Sequence, residues 1–131
     1  MDDLVAAAVA ARQAAYAPYS RFAVGAAVRA ADGSIHAGCN VENAAYPEGT
    51  CAEAGAIAAM VLAGQRRIAE LVVAGPSAMP CPPCGGCRQK LREFAGPELR
   101  IRMVDPVGEV MLETSLAELL PHSFGPDTLG A

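Results

Sequence analysis

Three cysteines and one glutamate in this sequence are spaced for metal-assisted proton chemistry. In Cys84-Gly85-Gly86-Cys87 two thiols stand three residues apart at a helix start, on one face. Cys51 stands directly before another helical stretch. The positive end of a helix dipole favours a thiolate at the N-terminus and lowers its pKa. Two helix starts could therefore converge on one Zn²⁺ with three sulfur ligands. Three ligands leave the fourth tetrahedral position open for water, which is the catalytic arrangement, whereas structural sites use four. A metal so held lowers the pKa of its water and makes a nucleophile at neutral pH. Glu53, two residues after Cys51, could reach that water without being a ligand. It also completes Thr50-Cys51-Ala52-Glu53, a capping-box pattern in which Glu reaches back to the cap amide. Its neighbour Cys51 favours the proton-transfer reading over the cap.

Spacing alone does not choose the second ligand pair. Cys81-Pro82-Pro83-Cys84 has the same separation as Cys84 to Cys87. A lone Cys-x-x-Cys would also suit a redox dithiol or a structural zinc knuckle, although neither accounts for the separate Cys51-Ala52-Glu53.

The elements that must position these residues alternate between helix and strand. Residues 3–15 are Ala-rich and read as a first helix. Residues 22–30 and 34–41 read as strands joined by Ala31-Asp32-Gly33-Ser34, where Asp-Gly signals a hairpin. After a loop from Asn43 to Gly49, a helix is expected over 52–63, ended by Gly64. Residues 71–74 read as a buried strand, 86–94 as a helix and 99–104 as a strand. Residues 108–111 are expected to add a strand, and 115–120 a short helix. This order predicts one α/β domain over 1–131 with a mixed sheet.

Composition narrows the partners. With 131 residues and 53% hydrophobic content, the chain can build one core. A net charge of −4 and 5% aromatic residues argue against a nucleic-acid polymer, which is held by clustered Lys and Arg and by stacking platforms. No run reaches the ~18 apolar residues of a membrane helix. The apolar stretch Leu4–Ala11 follows Asp2 and Asp3 rather than positive charge, unlike a signal peptide. Five cysteines, three of them within residues 81–87, point in a reducing compartment to metal or redox chemistry rather than disulfides. The expectation is a cytoplasmic protein.

Five ordered blocks then give a resemblance over nearly the whole chain. They are Tyr19-Ser20-Arg21-Phe22-Ala23-Val24-Gly25-Ala26-Ala27, Gly38-Cys39-Asn40-Val41-Glu42-Asn43-Ala44-Ala45-Tyr46, Cys51-Ala52-Glu53, Pro83-Cys84-Gly85-Gly86-Cys87-Arg88-Gln89, and Leu119-Leu120-Pro121-His122-Ser123-Phe124. Together they resemble the homotetrameric cytidine deaminases. The resemblance implies a three-layer α-β-α domain with a roughly five-stranded mixed sheet and one Zn²⁺ per subunit. It selects Cys84 and Cys87 with Cys51, because Arg88-Gln89 follows the second thiol, and leaves Cys81 just outside. It implies that Glu53 moves protons between water, N3 of the pyrimidine and the departing amine. It further implies that Asn40 and Glu42 bind the ribose hydroxyls and that Phe22 packs near sugar and base. Ala52 would offer backbone contacts to the base, Tyr46 would line a site between subunits, and Phe124 would reach a neighbouring subunit's pyrimidine. The implied reaction is hydrolytic deamination of cytidine and 2′-deoxycytidine in pyrimidine salvage. Deaminases of other nucleoside-like compounds such as blasticidin S share the thiol core, but Asn40-x-Glu42-Asn43-Ala44 favours a ribosyl substrate. A zinc-stabilised binding module without turnover is the third reading, and intact Glu53 argues against it.

Two positions depart from the family pattern. Many relatives carry Arg after Cys-Ala-Glu, where it bonds the zinc sulfurs, and here Ala54 stands there. Zn²⁺ with three thiolates carries a net −1, so donors to the sulfurs matter. Arg88 and the helix dipoles are expected to take that load. The other departure is Cys81-Pro82-Pro83, whose prolines stiffen the loop before Cys84.

Overall fold

The computed structural model describes residues 1–130. Its centre is a five-stranded sheet in the order β2-β1-β3-β4-β5, formed by β1 (Gly25–Ala30), β2 (Ile35–Cys39), β3 (Ile68–Ala74), β4 (Arg100–Val104) and β5 (Val110–Ser115). β3 and β4 are parallel and every other neighbouring pair is antiparallel, so the sheet is mixed as expected. Helix α1 (Asp3–Arg12) covers one face, where Leu4, Val5 and Ala8 pack on Ala27, Val72, Ala74 and Val104. Helices α2 (Ala52–Leu62) and α3 (Gly85–Phe94) lie on the other, over Ala26, Val28, Leu71, Val73, Ile101 and Met103. The short α4 (Leu116–Leu119) adds Leu116 to that core. Alternate strand residues thus feed two cores, as the two-residue period of a sheet buried on both faces requires.

The deviations from the sequence reading have local causes. α1 stops at Arg12 rather than 15, because Gln13, Ala14 and Ala15 donate to carbonyls only three residues back, while Arg12 Nε reaches the Ala23 carbonyl at 3.0 Å. β1 begins at Gly25 rather than 22: the side-chain Oδ1 of Asn40 takes the Val24 amide at 2.9 Å and ends the backbone ladder there. The last strand lies at 110–115 rather than 108–111. The Asp105 carboxylate accepts from the amides of Val107 and Glu109, which holds 105–109 as a turn.

Two features place the site. The unit β3–α3–β4 is a parallel crossover, so the start of α3 lies beyond the carboxyl end of β3, the usual place for a site in such a sheet. Helix α2 lies against β2 backbone to backbone. A Cβ on Gly38 would sit 2.4 Å from the Ala56 nitrogen and 2.6 Å from the Ala52 carbonyl oxygen. Gly38 thereby sets the approach of α2, and with it the distance of Cys51 and Glu53 from Asn40. Gly38→Ala should push α2 off the sheet and cost about 3 kcal/mol, the upper end of ordinary overpacking. A urea melt within about 0.5 kcal/mol of wild type would show that the helix has room to move.

Candidate metal centre and active site

Cys51 is the N-cap of α2 and Cys84 the N-cap of α3, with Cys87 one turn into α3. The three Sγ atoms lie within 4.8 Å of one another, and Cys51 and Cys84 are 3.7 Å apart. Sulfurs at a Zn–S length of ~2.3 Å in a tetrahedron are about 3.8 Å apart, so the Cys51–Cys84 spacing fits this ion. The donor set also fits, being three soft thiols with no fourth protein donor in the cluster among the described residues. Cys51 and Cys84 are exposed and Cys87 is buried, so the cluster has a closed protein side and an open side.

The surroundings of the three thiols shift their protonation in opposite directions. The Cys87 amide donates to Cys84 and draws its thiol below the ordinary range, as a helix N-terminus should. Burial pushes Cys51 and Cys87 up, joined at Cys51 by its hydrogen bond with Cys84 and at Cys87 by the neighbouring Glu53 charge. Three thiolates this close disfavour one another unless a divalent ion offsets their charge.

The remaining cysteine of the loop stands outside the thiol cluster, although it lines the same cavity as Cys51 and Cys84. Cys81 packs against Gly75, whose Cβ would lie 2.7 Å from that of Cys81, and is not in the cluster. Burial holds its thiol at about 11.

Glu53 is 4% exposed and makes no ion pair among the described residues. Burial pushes its carboxyl up, and the positive charge of Lys90 opposes this. The capping-box alternative does not hold. The cap of α2 is Cys51, so Glu53 is the second helical residue, and no side chain caps this helix. Its carboxyl instead lines a cavity of about 320 Å³ together with Phe22, Asn40, Glu42, Cys51, Ala52 and Cys84.

Asn40 and Glu42 lie past the end of β2, where bridges from Val41 to Tyr16 and Thr50 continue the extended chain and keep the two residues on the same side. Asn40 donates from Nδ2 to the Phe22 carbonyl at 2.7 Å while its Oδ1 holds the Val24 amide, so it also fixes the segment that carries Phe22. Glu42 Oε1 accepts from the amides of Tyr19 and Ser20 at 2.9 and 3.1 Å, and Oε2 accepts from the Ser20 hydroxyl. These bonds hold the Glu42 carboxyl below its usual range and keep it ionised. Tyr46, in a single 3₁₀ turn (Tyr46–Glu48), reaches the cavity rim while 76% exposed. Phe124 does not line this cavity.

Two outcomes differ from expectation. Arg88 does not bond a sulfur. Its Nε donates to the Pro83 carbonyl at 2.8 Å and its Nη1 to the Leu119 carbonyl at 2.9 Å, so it braces the loop before Cys84 instead of neutralising the thiolates. The cation whose field reaches Glu53 is Lys90, beside Ala54 in a groove between α2 and α3. The residues that sequence reasoning passed over are Tyr19 and Ser20, which hold Glu42 across more than twenty positions. A long-range bond of this kind leaves no periodic trace; the only sign was that both fell in a matching block.

The family model of the cytidine and deoxycytidylate deaminase zinc-binding region matches residues 1–103. A cytidine deaminase of Sporosarcina psychrophila is 40% identical over 129 residues, covering 98% of this chain and 94% of that protein. One of Mycobacterium tuberculosis is 42% identical over 115 residues, covering 88% of this chain and 82% of its own length. The crystal structure of a cytidine deaminase from Burkholderia pseudomallei superposes with a TM-score of 0.86 at 44% identity, covering 95% of this chain and all of that one. A mixed five-stranded sheet, three clustered thiols at two helix starts and a match over most of its length place the chain in the zinc-binding cytidine and deoxycytidylate deaminase family.

Proposed function

We propose that this chain, acting as one deaminase domain over residues 1–131, hydrolyses cytidine and 2′-deoxycytidine to uridine and 2′-deoxyuridine with release of ammonia. The observation that carries this reading is the sharing of one cavity by the open thiol cluster, buried Glu53 and the polar pair Asn40 and Glu42. Cys51, Cys84 and Cys87 would hold the zinc, which would supply the Lewis acidity that makes water a nucleophile at neutral pH.

The protein's own groups do the rest. Glu53 takes a proton from the attacking water as its oxygen adds to C4 and gives it to N3. It then takes the proton of the new C4 hydroxyl and passes it to the amine, so that the C4 carbonyl forms as the C4–N bond breaks and ammonia leaves. Its burial suits that shuttle, because a carboxyl raised toward neutrality both accepts and releases protons readily. Glu42, held ionised by the Tyr19–Ser20 turn, accepts from a ribose hydroxyl, and Asn40 offers its remaining donor and acceptor capacity beside it. A free base offers these two side chains no hydroxyl to bond, which favours nucleosides over free bases. Phe22 packs on sugar and pyrimidine, and the Ala52 backbone meets the base edge.

Surfaces that the single chain leaves bare support assembly. Helix α2 carries one charge, buried Glu53, and is apolar on all sides, with Ala58 and Leu62 exposed one turn apart. A helix of that kind is normally buried all round. Beside it Ala54, Ile57, Ala58 and Phe94 line an open groove. These faces support a homotetramer in which Phe124, 56% exposed, closes a neighbouring subunit's cavity and Tyr46 lines the junction. No helix among the described residues is long and apolar enough to cross a membrane, and the five cysteines are unpaired. Both fit a cytoplasmic enzyme of pyrimidine salvage that acts on nucleosides and on no nucleic-acid polymer.

Metal analysis and a cytidine assay on one preparation test the reading together. One zinc per chain and a fall in cytidine absorbance with stoichiometric ammonia are expected. Zinc at one per chain without cytidine turnover would overturn the substrate assignment, and absence of zinc from a protein purified without chelators would overturn the mechanism.

A further inference from the structure

Helix α3 carries two of the three thiols at its start, and its later turns grip a different part of the chain. Gln89 Nε2 donates to the Phe124 carbonyl at 2.8 Å. Arg92 Nε donates to the Ser123 hydroxyl at 2.9 Å, and its Nη2 pairs with Asp127 at 2.6 Å. Gln89 and Arg92 are three residues apart and so share a helix face. The chain crosses that face immediately after His122, whose φ of 51° is left-handed and turns the backbone out of α4. At Gly125 the backbone lies directly on the arginine. A Cβ there would sit 2.4 Å from Arg92 Cζ and 2.6 Å from each terminal nitrogen. The Gly125 amide is itself taken by Thr128 Oγ1 at 3.1 Å, inside the 3₁₀ turn Pro126–Leu129.

Four contacts thus clamp residues 123–127, while the ring of Phe124 in their midst stays exposed. The clamp buries the backbone at Gly125 but adds no apolar side chain to the core, since Phe124 and Asp127 stay exposed and Ser123 is only half-buried. Clamping removes backbone freedom before a partner is met, which is how a protein raises affinity at an interface.

We infer that Gln89, Arg92 and Gly125 are positioning residues that preset Phe124 for the substrate cavity of a neighbouring subunit. The helix that delivers Cys84 and Cys87 to one active site thereby also fixes the aromatic wall of another. This rests on the proposed reading of Phe124 as a contact to a neighbour's pyrimidine. Because the clamp acts on substrate packing and not on proton transfer, its loss should appear in KM.

The test compares Phe124→Ala, Arg92→Met, Gln89→Met and the double variants Phe124→Ala/Arg92→Met and Phe124→Ala/Gln89→Met. For each, KM, kcat, zinc content and oligomer mass are measured. Gln89→Met keeps the inference testable if Arg92→Met fails to fold, because it deletes one bond from an exposed side chain. Phe124→Ala should raise KM for cytidine about tenfold or more. Gln89→Met should raise it about fivefold, the worth of one hydrogen bond, and Arg92→Met roughly tenfold, with kcat within twofold and zinc and mass unchanged. In the Phe124→Ala background neither change should raise KM further, since the clamp acts only through that ring. A wild-type KM in Phe124→Ala would overturn the cross-subunit reading and the clamp with it. A raised KM in Phe124→Ala with wild-type values in both clamp variants, or fully additive effects in the doubles, would overturn the clamp alone.

Discussion

Glu53→Gln is expected to lower kcat for cytidine by about 10⁴-fold while one zinc per chain and the fold are kept. The carboxyl lies in the first turn of α2, two residues from Cys51, and faces the cavity without an ion pair. Gln has the same shape, so neither the cavity nor the thiol cluster changes, and only proton transfer is lost. A positioned acid or base contributes typically ~10²- to 10⁴-fold. Glu53 is asked to serve at both N3 and the amine, which places the loss at the upper end. Stability should hold or rise. In the metal-free protein the folded pKa of Glu53 lies above its unfolded value, so this group weakens the fold as pH rises through that range. Removing the charge removes that penalty at neutral pH. Steady-state kinetics and zinc determination on the loaded protein, with a thermal melt of the metal-free form, check all three parts. Activity within tenfold of wild type would remove Glu53 from the mechanism, and loss of zinc would make it a structural support of the site.

What the sequence disclosed follows the range over which each signal acts. The thiols were legible because helix starts are local: Cys51 and Cys84 both sit at N-caps, where short-range pattern is strongest. The helices and the hairpin were likewise legible from periodicity and turn residues. Boundaries were lost where a side chain intervened, as Asn40 does at the start of β1 and Asp105 before β5. Arg88 was misplaced for a related reason. A guanidinium next to a ligand cysteine suggests charge compensation, yet its partners are the carbonyls of Pro83 and of Leu119, thirty-one residues away. The Tyr19–Ser20 cradle for Glu42 and the α3 grip on the C-terminal segment are long-range in the same sense. None of these bonds has a sequence period.

The choice between the two Cys-x-x-Cys pairs gives the second large effect. Cys87→Ala should lose zinc affinity by roughly 10²- to 10⁴-fold and leave the protein inactive at submicromolar metal. Zinc held by thiolates is worth apparent free energies of ~10–16 kcal/mol, so one ligand's share is roughly 3–5 kcal/mol. Cys87 is 1% exposed and forms the closed side of the cluster, so no water easily replaces it there. Ala is the proper substitute, because a hydroxyl at this depth would add an unsatisfied polar group to the lost ligand. The small void should cost only about 1 kcal/mol of apo-protein stability, so metal loss and unfolding separate cleanly. Cys81→Ala is the matched control: it removes a thiol from the same loop, but one packed on Gly75 outside the cluster, and should retain one zinc per chain. Chelator competition on both variants decides the matter. If Cys81→Ala releases the metal while Cys87→Ala keeps it, the ligand pair is Cys81 with Cys84. The ion would then lie on the loop side of the α3 cap instead of over its first turn, and Glu53 would need a different partner.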